Sequence, residues 1–78
     1  MWRVNVPNPL KVAVTRFSRA DADLVFAAMR AMAADPLSGE VYKLGNDSYY
    51  RVVAGYLIFF DLIPDQRTVN VTAIERPH

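Results

Sequence analysis

The segment YKLGNDSYYRVVAGYLIFFDLIPDQRTVNVTAIER, residues 42–76, decides the fold. It holds three runs of strand-forming residues with turn residues between them. In the first run Tyr50, Val52 and Ala54 share one face and Tyr49, Arg51 and Val53 the other, with Gly55 as the reversal. The second, Tyr56 to Ile63, is apolar on both faces apart from Asp61. That pattern predicts a central strand, covered on one side by helices and on the other by a loop, a partner or a cleft. Pro64-Asp65 reads as a type I turn with proline in its second position. In the third run (Arg67 to Ile74) Val69, Val71 and Ala73 alternate with Thr68, Asn70 and Thr72, which predicts a strand with one wet polar face.

Working outward, Asp35-Pro36 ends a helical run and Leu37-Ser38-Gly39 returns the chain to the sheet. The run before it, from Ser18 to Ala34, contains neither glycine nor proline, and Ser18 with Asp21 makes an approximate capping box. Ala22, Val25, Met29 and Met32 form one apolar stripe, widened by Phe26 and Ala33, and this spacing assigns both methionines to the core. Further upstream, Leu10, Ala13, Val14 and Phe17 follow helical spacing, with Asn8 as N-cap and Pro9 at the first helical position. The β-branched residues of that stretch also fit a strand; the helical reading is preferred. Trp2, Val4 and Val6 alternate with polar residues as the inward side of a first strand, which Pro7 ends. The expected fold is α+β: an N-terminal strand, a helical hairpin, then a three-stranded antiparallel meander with the helices on one sheet face.

The composition bounds the function. With 78 residues the chain forms one domain, 1–78, and no internal repeat or linker divides it. It has no cysteine, which rules out disulfides, thiolate metal sites and cysteine nucleophiles. Nine Lys/Arg against eight Asp/Glu leave a net charge of +1, so bulk charge gives no argument for a polyanion partner. The longest apolar stretch, Val52 to Phe60, is interrupted by Gly55 and too short to cross a bilayer, so the chain is expected to be cytoplasmic and to have no membrane partner. Asp21, Asp23 and Asp35 are too dispersed for a metal site and read as caps and solvated charges. No Gly-rich phosphate loop, serine-centred triad or zinc spacing occurs.

The order of the punctuating residues, with Asp35-Pro36 after a helix, then Lys43-Leu44, Tyr50-Arg51, Gly55-Tyr56 and Arg67-Thr68-Val69, resembles the RelE/ParE toxin superfamily over nearly the whole chain. The closing Arg76-Pro77-His78 resembles the Arg-x-His ending of its YoeB-like branch. The resemblance implies the toxin of a type II toxin–antitoxin module, with a cognate antitoxin as partner. It also implies ribosome-dependent cleavage of mRNA without metal or other cofactor. That chemistry needs a group to take the 2′-hydroxyl proton, a cation beside the phosphate and an acid for the departing 5′-oxygen. On this resemblance Arg51, Arg76 and His78 are the catalytic candidates, and Lys43, Tyr49 and Tyr50 the candidate RNA contacts. Leu57 stands where the nuclease members usually carry a phosphate-binding arginine, which removes five donors and a fixed charge. A ParE-like inhibitor of DNA gyrase that acts by binding, or a non-catalytic relative that only binds an antitoxin, are the alternatives.

Overall fold

A computed structural model describes residues 1–77. The chain runs β1 (Arg3–Asn5), α1 (Asn8–Thr15), α2 (Arg19–Ala31), β2 (Val41–Lys43), β3 (Ser48–Val53), β4 (Tyr56–Ile63), a 3-10 turn (Pro64–Gln66) and β5 (Thr68–Glu75). Its five strands form one sheet in the order β1-β5-β4-β3-β2. β1 lies parallel to β5 and the other neighbours are antiparallel. The α+β architecture agrees with the sequence reading, with one strand more in the meander. β2 is a three-residue edge strand, too short to leave a periodic signature in the sequence.

The helical hairpin covers one sheet face. Val14 of α1, Val25 and Met29 of α2, and Met32 just beyond it meet Tyr56, Ile58, Phe60 and Leu62 of β4 and Val69 and Val71 of β5. These side chains are nearly or fully withdrawn from water, and each fully buried aliphatic or aromatic one contributes about 1.5–3 kcal/mol. Trp2, Val4 and Val6 flank this core from β1, as their alternation predicts.

Local chemistry sets the element ends. α1 begins one residue earlier than expected: Pro7 is the N-cap, its carbonyl accepts from the Leu10 and Lys11 amides, and Asn8 lies inside the helix without capping it. α2 starts where the capping box places it, with the Asp21 amide donating to Ser18 Oγ at 3.2 Å. It ends at Ala31 rather than Ala34. There the chain tightens into i→i+3 bonds, and the Ala33 carbonyl accepts the Trp2 amide at 2.7 Å. The β3–β4 hairpin turns on Ala54 and Gly55, both with positive φ, the pattern of a two-residue I′ loop. Pro64 and Asp65 sit in a 3-10 turn closed by Arg67 in the left-handed region.

A single irregularity in β5 decides which of its last side chains face the helices. Phe60 pairs with Val71 but Phe59 pairs with Ala73, so Thr72 is the extra residue of a β-bulge. A bulge shifts side-chain parity by one. Ala73 therefore turns away from the helices, Ile74 joins the core opposite Ile58, and Glu75 points outward opposite Leu57. The simple alternation expected for this strand holds only as far as Val71.

Candidate functional site

Arg51 does not lie open to a substrate. It alternates inward with Tyr49 and Val53 and is 9% exposed, and its Nη2 donates to the Pro36 carbonyl at 2.8 Å. The loop it grips is itself ordered. The Leu37 amide donates to Asp35 Oδ1 at 3.0 Å, Ser38 Oγ donates to the Asp35 carbonyl, and Gly39 takes φ +83°. A Cβ at Gly39 would stand 3.1 Å from Arg51 Nη1, so the glycine serves both the turn and the guanidinium. Burial lowers the Arg51 pKa from its ordinary value and the charge of Asp35 opposes that shift; the group stays protonated near neutrality. Nε is buried without a partner. In this arrangement Arg51 ties the 35–39 loop to the sheet.

Arg76 succeeds β5 on the helix side of the sheet, where the bulge has turned it. Its guanidinium lies 5.4 Å from the centroid of the Tyr56 ring. The same ring stacks on Phe17 at 4.2 Å and its hydroxyl donates to Asp21 Oδ2 at 3.3 Å. Arg51 on β3 is instead bonded to the Pro36 carbonyl, and β4 lies between β3 and β5, so the two arginines do not converge on one point. His78 lies outside the described residues.

The three candidate RNA contacts divide between faces. Lys43 pairs with Tyr49 across β2 and β3 and shares its helix-side orientation, and Tyr49 packs on Phe60 with ring centroids 5.7 Å apart. Tyr50 faces the other way. There it joins residues that no family motif marks.

On that open face the register builds three rows across the strands. Ser48, Asp61, Asn70 and Asn5 form a polar row, in which Ser48 Oγ donates to Asp61 Oδ1 at 2.8 Å and Asn5 Nδ2 donates to Asn70 Oδ1 at 3.1 Å. Tyr42, Tyr50, Phe59 and Ala73 form an aromatic row, with centroid separations of 5.1 Å between the tyrosines and 5.7 Å from Tyr50 to Phe59. Val52, Leu57 and Glu75 form the third. Beside Val52 the Glu40 carbonyl accepts its amide, and the Glu40 carboxylate accepts the Tyr42 hydroxyl at 3.2 Å. That hydrogen bond and the carboxylate charge raise the Tyr42 pKa above the ordinary phenol value. Leu57, at the position of the expected phosphate cation, thus stands next to a carboxylate.

The near-zero net charge conceals a division. Residues 1–34 hold five cations and two carboxylates, whereas residues 35–76 hold four cations and six carboxylates. Lys11, Arg16, Arg19 and Arg30 all sit exposed on the helical hairpin. Between Lys11 and Arg30 opens an apolar pit of about 170 Å³ lined by Val4, Val6, Phe26 and Met29. Among the described residues no group of three or more His, Asp or Glu side chains is placed to hold a metal ion, and no helix is long and apolar enough to cross a membrane.

Glu40, Tyr42, Phe59 and Glu75 escape a motif search because such a search asks for cations. The period-2 alternation of β3 and β4 already places Tyr50 and Phe59 on one face; Glu75 is hidden by the bulge.

No protein-family model matches the sequence, and no curated protein does. Among solved structures, a chain of the archaeal RelE–RelB complex from Pyrococcus horikoshii OT3 superimposes with a TM-score of 0.88. The two are 15% identical, and the match covers 96% of this chain and 93% of that one. The chain therefore has a RelE-like fold, as the sequence resemblance implied.

Proposed function

We propose that this chain is the toxin component of a toxin–antitoxin pair and that it acts by binding a target rather than by cutting RNA. One observation carries the reading: a RelE-like fold spans the chain, while its open face presents Leu57 beside Glu75 at the position where the family resemblance expects a phosphate-binding arginine. Catalysis of phosphodiester cleavage rests largely on electrostatic stabilisation of developing negative charge, and a carboxylate at that point opposes it. The inward Arg51 supports the same conclusion. The antitoxin is assigned to the pit on the helical hairpin. An apolar side chain flanked by Asp or Glu fits a pit whose mouth carries Lys11 and Arg30. Action by binding is shared with ParE-like inhibition of DNA gyrase, and the site of action is the cytoplasm.

Ribosome-dependent mRNA cleavage is the competing reading. Its specific support is Arg76, an exposed cation over the ring of Tyr56, whose hydroxyl donates to Asp21, with His78 two positions further in sequence and Lys43 and Tyr50 as further contacts. Induced expression with primer-extension mapping of mRNA separates the two. The expected result is growth arrest without cuts in the ribosomal A site, relieved by co-expression of the cognate antitoxin. The Lys11→Glu/Arg30→Glu variant is expected to arrest growth and escape that relief. Cuts that vanish in Arg76→Ala and His78→Ala would overturn the binding reading.

A further inference from the structure

The open sheet face has the chemistry of a cation receptor. Its aromatic row crosses β2, β3 and β4, and Tyr42, on the edge strand, remains 47% exposed. Carboxylates flank that row on both sides: Asp61 in the polar row, Glu40 and Glu75 at the opposite margin. Among the described residues the cations lie elsewhere. Lys43, Arg51 and Arg76 are turned to the helix side, Arg67 lies over Trp2 at 5.3 Å, and Arg3, which shares the open face, stands at its far β1 edge, three strands from Tyr50. The hydrogen bond to Glu40 and the charge of that carboxylate raise the Tyr42 pKa.

We infer that this face docks a cationic, arginine-rich polypeptide segment of a protein partner, its guanidinium groups resting on Tyr42 and Tyr50 and pairing with Glu40, Asp61 and Glu75. Arginine suits the surface because its planar cation both stacks on aromatic rings and hydrogen-bonds carboxylates. A polypeptide suits it because the aromatic row spans three strands, a width of roughly 10 Å between the outer strand axes, which is longer than one small cation occupies. RNA is the disfavoured occupant, since each phosphate would approach carboxylates that no nearby cation offsets. The inference does not rest on the toxin–antitoxin reading, whose antitoxin surface lies on the opposite face.

The test is an NMR titration of the full chain with the peptide Ac-(Arg-Ala)5-amide, its Glu-for-Arg analogue and a 15-nucleotide oligouridine. The arginine peptide is expected to shift Tyr42, Tyr50 and Phe59 resonances selectively, with an affinity that falls as salt rises. Glu40→Gln/Glu75→Gln should weaken it about tenfold, as loss of two partly exposed ion pairs implies. Tyr50→Leu keeps apolar bulk at the site and should weaken binding about threefold through the lost cation–π contact. Lys11→Glu/Arg30→Glu, on the other face, should leave it unchanged. Equal binding of the acidic peptide, selective shifts with oligouridine, or no shifts at millimolar arginine peptide would overturn the inference.

Discussion

The two faces of one sheet have been put to different uses, and β4 shows the division residue by residue. Tyr56, Ile58, Phe60 and Leu62 are buried under the hairpin, while Leu57, Phe59, Asp61 and Ile63 alternate with them and stay partly exposed. The helix face is largely closed: apart from the pit between Lys11 and Arg30 its apolar groups are packed, and Arg51 is bonded to a loop carbonyl. The open face keeps comparable hydrophobicity in contact with water and surrounds it with carboxylates. A domain of this size cannot cover both faces with two short helices. The uncovered face is therefore available for a partner, and its side chains state what charge that partner carries.

The largest effect that could break this contrast is a pair of adjacent truncations. Ile58→Ala should cost about 2–5 kcal/mol, because it opens a cavity in the closed core. Phe59→Ala should cost about 1 kcal/mol despite the larger side chain, since part of the ring's area remains in water. Urea unfolding of both variants measures the difference. Equal losses that depend on protein concentration would mean that a second copy already covers the open face, and the contrast between faces would disappear.

Next in size is the buckle formed by Arg51. Arg51→Ala should destabilise by about 2–3 kcal/mol, because it leaves the Pro36 carbonyl unpaired and a void beneath the loop. Arg51→Met fills the void without burying a charge or the unpartnered Nε, and should be within about 1 kcal/mol of wild type. Gly39→Ala should cost about 1–2 kcal/mol, partly from its positive φ and partly from the contact with Nη1. In the Arg51→Met background the steric part should shrink, and a double-mutant cycle reads that coupling. Additive costs would show that Gly39 is needed for the turn alone. If growth arrest survives Arg51→Met, the arginine has a structural role and no catalytic one.

Much of the helix face is legible in the sequence because its signals are local. Ser18 with Asp21 caps α2, and the Val25, Met29 and Met32 spacing matches the helical period. The open face is less legible because its composition depends on register between distant strands. Thr72 gives no sign that it is a bulge residue; only its pairing with the unbroken β4 reveals the extra residue and sends Glu75 outward. Arg51 misleads for a related reason. An arginine between tyrosine and valine in a strand reads as a surface cation. Whether it meets solvent or a loop carbonyl depends on the 35–39 turn, held by Asp35, Ser38 and Gly39 some fifteen positions away. Family motifs locate Arg51 and Leu57 along the chain but carry no orientation, and orientation decides whether either position can meet a phosphate.

The smallest expected effect probes the sign of the open face directly. Ionising Tyr42 would place a phenolate beside the Glu40 carboxylate and break the hydrogen bond between them, so the folded protein holds this proton more tightly than the unfolded chain does. The stabilisation is therefore fully present below the phenol's unfolded value and is lost as pH rises through the higher folded value. Residue-resolved NMR titration of the tyrosine side chains should find Tyr42 ionising above the ordinary phenol value. In Glu40→Gln it should return toward that value, because the amide keeps an acceptor but carries no charge. The arginine peptide should also lower it in the wild-type protein by placing positive charge beside the phenol. If Tyr42 titrates at the ordinary value in the wild type and does not respond to Glu40→Gln, the negative field on this face is too weak to choose a cationic partner.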